Sequence, residues 1–117
     1  MAVILIIDDS PTELHLFQSM LEKSGFDTLV ADSGEEGLRQ AKLSHPDCIL
    51  MDVVMPGMNG FQATRKLTQD SDTAGIPIIM ITTKDQETDK YKKETGTNPD
   101  AKGRTKILGR VNKRMST

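Results

Sequence analysis

The sequence predicts an α/β domain: a parallel sheet doubly wound with helices on both faces. Three observations carry this. Continuous apolar runs of strand length recur, and such runs mark strands buried on both faces, as parallel sheets require. Segments with helix caps and helical apolar spacing lie between them. The connections are short, so the order reads βαβαβαβ, the alternation expected of a wound parallel sheet.

Residues 2–7 (AVILII) form the first apolar run, ending in Asp8-Asp9. Ser10-Pro11-Thr12-Glu13 then starts a helix: Ser10 is a good N-cap, Pro11 fits the first helical position and Glu13 completes a capping box. Leu14, Phe17 and Leu21 follow at helical spacing and Gly25 supplies the stop. Residues 26–31 make a second, weaker strand. Ser33 caps a helix running to about Leu43, with Leu38 and Ala41 facing inward. Residues 48–51 (CILM) form a third strand and again end in an acid, Asp52. After a turn through Met55-Pro56-Gly57-Met58-Asn59-Gly60, a helix is expected over residues 61–68. Residues 77–81 (PIIMI) form the fourth strand, ending at Thr82-Thr83.

Beyond this the pattern weakens. Residues 85–95 have helical composition with almost no apolar face, and residues 96–104 read as a polar loop. Only Ile107, Leu108 and Val111 are then available to a core. Residues 105–108 could supply a fifth strand, but residues 111–117 are too few for a full closing helix.

The 117 residues fit one domain with one core. Aromatics make up 3% with no Trp, so that core must rest on Ile, Leu, Val and Met. The run at residues 2–7 is far too short for a membrane span and has no basic segment before it. The single cysteine, Cys48, excludes an internal disulfide, reads as a buried structural thiol and suits a reducing cytoplasm. Net charge is −2, but residues 1–90 carry 7 basic and 15 acidic side chains, whereas residues 91–117 carry 8 and 2. That basic tail lacks interleaved aromatics and a recognition-helix pattern, which argues against nucleic acid as the partner.

In an open parallel sheet, ligands sit beyond the carboxyl ends of the strands. Three strand ends here carry Asp8-Asp9, Asp52 and Thr82-Thr83. Acids after a strand often do no more than cap the next helix, so neither the Asp pair nor Asp52 is telling alone. Together they place three carboxylates at one edge with hydroxyls nearby. Carboxylates so gathered repel one another, and a cation relieves the repulsion. Hard oxygen donors in that number suit Mg²⁺, which keeps several waters and leaves room for a phosphate oxygen. His15, near the start of a helix, reads as exposed, and His45, in a Ser-His-Pro loop, as a turn residue.

The segments ILIIDDSPTE, ADSGEEGL, PDCILMDVVMPGMNGFQATR and IPIIMITTKDQETDK resemble a bacterial response-regulator receiver domain of the stand-alone kind. They span residues 3 to about 90, and the D-x-x-M-P-x-M-x-G run from Asp52 to Gly60 is the most diagnostic part. The DDSPTE and NGFQATR wording is most similar to twitching-motility regulators, with chemotaxis regulators next. The resemblance implies a flavodoxin-like fold and one receiver domain over residues 1–117, of which 1–90 match and 91–117 are atypical. It implies that Asp52 is the phosphoacceptor, phosphorylated by a partner histidine kinase. Asp9 would ligate Mg²⁺ directly, Asp8 through a water, and Val54 through its carbonyl. Thr82 would hold the phosphoryl oxygen as the switch hydroxyl, with Thr83 in the small-residue position. Such a protein is not an enzyme and signals by binding a downstream protein target.

The resemblance fails toward the end. Receivers carry a Lys-Pro pair after the fifth strand, where the ammonium meets the phosphoryl group, and this chain has none. Lys102 lies near the expected place but precedes Gly103, and Lys106 has an equally poor context. The switch aromatic is missing too, since the one tyrosine is Tyr91. Three accounts fit the tail: a diverged element that folds back, with or without strand exchange between two chains; an altered end; or a disordered basic tail that binds an acidic partner. Without a fifth strand and helix, strand 4 or strand 1 would show an edge and an apolar face, which predicts a homodimer or another covering interaction. Two other functions compete with phosphorylation-dependent signalling. One is a degenerate receiver that serves as a constitutive scaffold. The other is an aspartate-nucleophile phosphatase, whose usual second acid is replaced here by Val54.

Overall fold

The computed structural model describes residues 1–81 and 103–116. Four parallel strands alternate with helices: β1 (Val3–Ile7), α1 (Pro11–Lys23), β2 (Asp27–Ala31), α2 (Gly34–Ser44), β3 (Cys48–Asp52), α3 (Gly60–Gln69), β4 (Ile78–Ile81) and α4 (Arg104–Met115). The strand order is β2-β1-β3-β4, all pairs parallel, with Ile6 opposite Val30 on one side and Leu50 on the other. The apolar runs predict the doubly wound parallel sheet, and the order of its strands is the flavodoxin-like one that the family resemblance implies.

Alternation along each strand divides the core in two. Ile4, Ile6, Cys48, Leu50, Ile79 and Ile81 face one layer, with Phe17 and Leu21 of α1 and Ile107 and Val111 of α4. Leu5, Ile7, Ile49 and Met51 face the other, with Ala41 of α2 and Ala63 and Leu67 of α3. Both faces of the central strands are thus dry, which is why β1 and β3 need unbroken apolar runs. Met51 and Met55 are buried in the second layer, so those methionines fill core rather than forming a surface.

The helix starts follow their local chemistry. Ser33 Oγ accepts the Glu36 N–H at the head of α2. Asn59 and Gln62 form a reciprocal capping box at the head of α3. Ser10 Oγ accepts the Glu13 N–H, but the Glu13 side chain does not close the capping box expected of it; it reaches Arg104 instead. His45 ends α2 in the left-handed region at φ 47°, the turn role its sequence context predicts. His15 is exposed, also as expected.

Three expectations are corrected at the C-terminal side. Residues 105–108 are helical, not a fifth strand, and a closing helix is present although residues 111–117 alone would not supply one. The reason is a spacing that crosses the assumed loop boundary. Arg104, Ile107, Leu108, Val111 and Met115 fall on one face of a helix, and this face packs on α1 and β4. Burying Ile107 and Val111 contributes about 1.5–3 kcal/mol each. Residues 104–115 are therefore a folded-back element rather than a disordered tail. The third correction concerns exposure: β1 lies inside the sheet, and α4 covers the apolar face that was expected to be open. Among the described residues the edges are β2 and β4.

Cys48 is buried in the α1–α4 layer. Burial pushes its thiol up to about 11, against a smaller opposing pull from Arg114 and Arg110. The folded thiol holds its proton more tightly than the unfolded one, whose value is 9.0. Its contribution to stability is therefore complete below pH 9.0 and is lost as pH rises toward 11. Native protein at about pH 8 is expected to resist alkylation by iodoacetamide, and urea-unfolded protein to react. Rapid labelling of the native form would show that the packing around this strand is wrong.

Candidate metal and phosphoryl site

The carboxyl ends of β1 and β3 are adjacent, at the point where the chain winds outward in opposite directions. Crevices form at such switch points. Asp8 continues the β1–β2 ladder, its N–H donating to the Ala31 carbonyl at 3.1 Å. Its carboxylate is fully buried, and Oδ1 accepts the Ser10 N–H at 2.9 Å. Asp9 is exposed beside it. Asp52 is the last residue of β3, 1% exposed, and pairs with Ile81 of β4.

One ligand oxygen from each of Asp8, Asp9 and Asp52 can be chosen so that all lie within 4.8 Å of one another. Three hard anionic oxygens at that spacing, two buried and one open to solvent, fit a small divalent cation with oxygen preference and free water positions. Mg²⁺ therefore fits the residues present. Val54 lies in the loop two positions past β3, its side chain 60% exposed and pointing no apolar group into the core.

The loop and helix after β3 are held hard against the site. The Val53 N–H donates to the Ile81 carbonyl at 3.0 Å, and the Gly60 N–H donates back to the Val53 carbonyl at 2.9 Å. Helix α3 thus begins directly over the strand end that carries Asp52. A Cβ on Gly60 would overlap the Asp52 carbonyl oxygen and come within 2.8 Å of Val53 Cα. The glycine that closes the D-x-x-M-P-x-M-x-G run is there because nothing larger fits.

The structure brings together Asp8, Asp9 and Asp52 and places Val54 in the adjoining loop. Thr82, Thr83 and Lys102, together with Lys84 and Tyr91, lie outside the described residues. Lys106 is exposed on α4. The sequence reading missed Glu13 and Arg104, whose carboxylate and guanidinium meet at 2.9 Å near the first turn of α1. No local signal could have paired residues so far apart, although the apolar spacing of α4 puts Arg104 on its inner face. A cleft between α2 and α3, lined by Leu38, Lys42, Asp70 and Thr73, shares none of the three aspartates. Among the described residues no helix is long and apolar enough to cross a membrane.

Comparison with known proteins follows the same lines. The family described as the response regulator receiver domain matches residues 4–97. Protein PilH of Pseudomonas aeruginosa is 59% identical over 90 residues, 77% of this chain and 74% of that protein. The alkaline phosphatase synthesis transcriptional regulatory protein PhoP of Bacillus subtilis is 40% identical over 87 residues, 74% of this chain but only 35% of that protein. Among solved structures, the Vibrio cholerae chemotaxis protein CheY4 superposes with a TM-score of 0.73 at 30% identity, over 95% of this chain and 98% of that one.

Proposed function

This chain belongs to the response-regulator receiver family, and from that premise we propose that it is a phosphoacceptor of a two-component relay, modified on Asp52. The observation that supports this reading is the convergence of Asp8, Asp9 and Asp52 within 4.8 Å at the switch point of the sheet. A carboxylate oxygen of Asp52 attacks the phosphorus of a phosphohistidine on a partner kinase. The P–O bond forms as the P–N bond breaks, leaving an acyl phosphate on Asp52 and returning the histidine. Hydrolysis of that acyl phosphate resets the domain.

Asp8, Asp9, Asp52 and the Val54 carbonyl would hold Mg²⁺. When bound, the ion offsets the negative charge gathered where carboxylates and phosphoryl oxygens meet. Thr82 supplies a hydroxyl to the phosphoryl oxygen, Thr83 leaves space beside it, and Lys102 is the nearest sequence equivalent of the family lysine. Burial of Asp8 and Asp52 keeps bulk water from screening these interactions. Output is through binding to a downstream protein in the cytoplasm, and the similarity to PilH together with the DDSPTE and NGFQATR segments favours twitching motility.

Intact-mass analysis after incubation with acetyl phosphate tests the proposal. One phosphoryl adduct is expected with Mg²⁺, little without it, and none in Asp52→Asn. Folded wild-type protein that forms no adduct under any condition would favour the scaffold reading, for which the missing Lys-Pro pair is the sequence observation.

A further inference from the structure

The acidic cluster and the closing helix are joined by contacts in series. Asp8 Oδ1 accepts the Ser10 N–H at 2.9 Å, and Ser10 Oγ accepts the Glu13 N–H at 3.3 Å. Glu13 Oε1 in turn accepts from Arg104 Nη1 at 2.9 Å. The two charged side chains are 7% and 13% exposed, so the pair is held in a largely dry environment and its geometry is restrained. Arg104 is the first residue of α4 and Glu13 lies in the first turn of α1. Helix α4 has no acid in its first turn and no side-chain cap, and its Arg104 guanidinium meets the Glu13 carboxylate, which itself lies in the first turn of α1.

We infer that Arg104 is a positioning residue for the acidic site. By fixing Glu13 it holds the first turn of α1, and through Ser10 that turn holds the Asp8 carboxylate in its place in the cluster. Docking of α4 and cation binding at Asp8, Asp9 and Asp52 are then linked, and linkage is reciprocal: each strengthens the other by the same factor. A buried ion pair that served only to attach α4 would change stability and leave the cation affinity of folded protein alone. This inference rests on the reading of the cluster as a Mg²⁺ site.

The test uses the full chain and Mg²⁺ alone. Affinity is measured by calorimetry, and hydrogen exchange is followed across residues 104–115 with and without the ion. Removing one partner strands a buried charge, so Arg104→Met by itself could fail to fold. The double variant Glu13→Gln/Arg104→Met removes both charges of this pair, so neither is left facing the other's empty place. The folded double variant is expected to bind Mg²⁺ about 5-fold more weakly than wild type, at the lower end of measured site-to-site couplings. Arg104→Lys, with one ammonium in place of the guanidinium fork, should recover part of the loss. In wild type, Mg²⁺ should slow exchange in α4, and in the double variant it should not. Wild-type affinity in the double variant, or exchange in wild-type α4 that ignores Mg²⁺, overturns the linkage while leaving the metal site standing. Failure of wild type itself to bind Mg²⁺ overturns the metal reading and this inference with it.

Discussion

Gly60→Ala is expected to cost about 3 kcal/mol of stability, at the upper end of typical overpacking penalties. The added methyl has nowhere to go. It would meet the carbonyl of Asp52, the last residue of a strand paired on both sides, and the Cα of Val53, whose N–H is tied to the Ile81 carbonyl. Relief requires α3 to lift away from β3, which breaks the Gly60 to Val53 hydrogen bond and moves the loop carrying Val54. Of a total stability of about 5–15 kcal/mol for a domain this size, that is a large share. Urea unfolding measures the loss, and acetyl phosphate labelling of the fraction that remains folded should fall as well. A variant within about 1 kcal/mol of wild type, well under the usual overpacking cost, would show that the helix does not sit where it is described.

Val111→Asp is expected to be worse, at about 4 kcal/mol or more, because it places a carboxylate in an apolar layer with no partner. Val111 is fully buried, in the cluster that holds Phe17, Leu21, Ile79 and Ile81. The cheapest escape is release of α4. Hydrogen exchange should then report open amides across residues 104–115, and light scattering should detect self-association through the uncovered face. Asn112→Asp, one residue along on the exposed side, adds the same charge and should stay within about 0.5 kcal/mol of wild type. Equal stability of the two variants would mean that α4 is not docked.

The legible part of the molecule was the part written locally. Unbroken apolar runs announced strands buried on both faces, Ser10 and Ser33 announced helix starts, and acids at the ends of the first and third strands announced the cluster. What could not be read there depends on distance along the chain. Strand order is one case, since nothing in the wording of β1 says that β2 and β3 flank it. The Glu13–Arg104 pair is another, its members 91 residues apart. A capping box was the better local guess for Glu13, and a buried guanidinium won the carboxylate instead. The closing helix was lost for a different reason. Its five inward positions straddle a polar stretch, so dividing the segment into loop, strand and remnant cut through a periodicity that was present in full.

That separation has a consequence for how the chain comes into being. Synthesis is directional, and β1 and α1 emerge long before the helix that covers them. At about 5–20 residues per second, the 80 residues between α1 and α4 take roughly 4–16 s to be made. Throughout that interval Phe17 and Leu21 lack the cover that Ile107 and Val111 supply. The unfinished domain therefore leaves this apolar layer open until α4 has been made, and the ion pair that joins Arg104 to Glu13 can form only then.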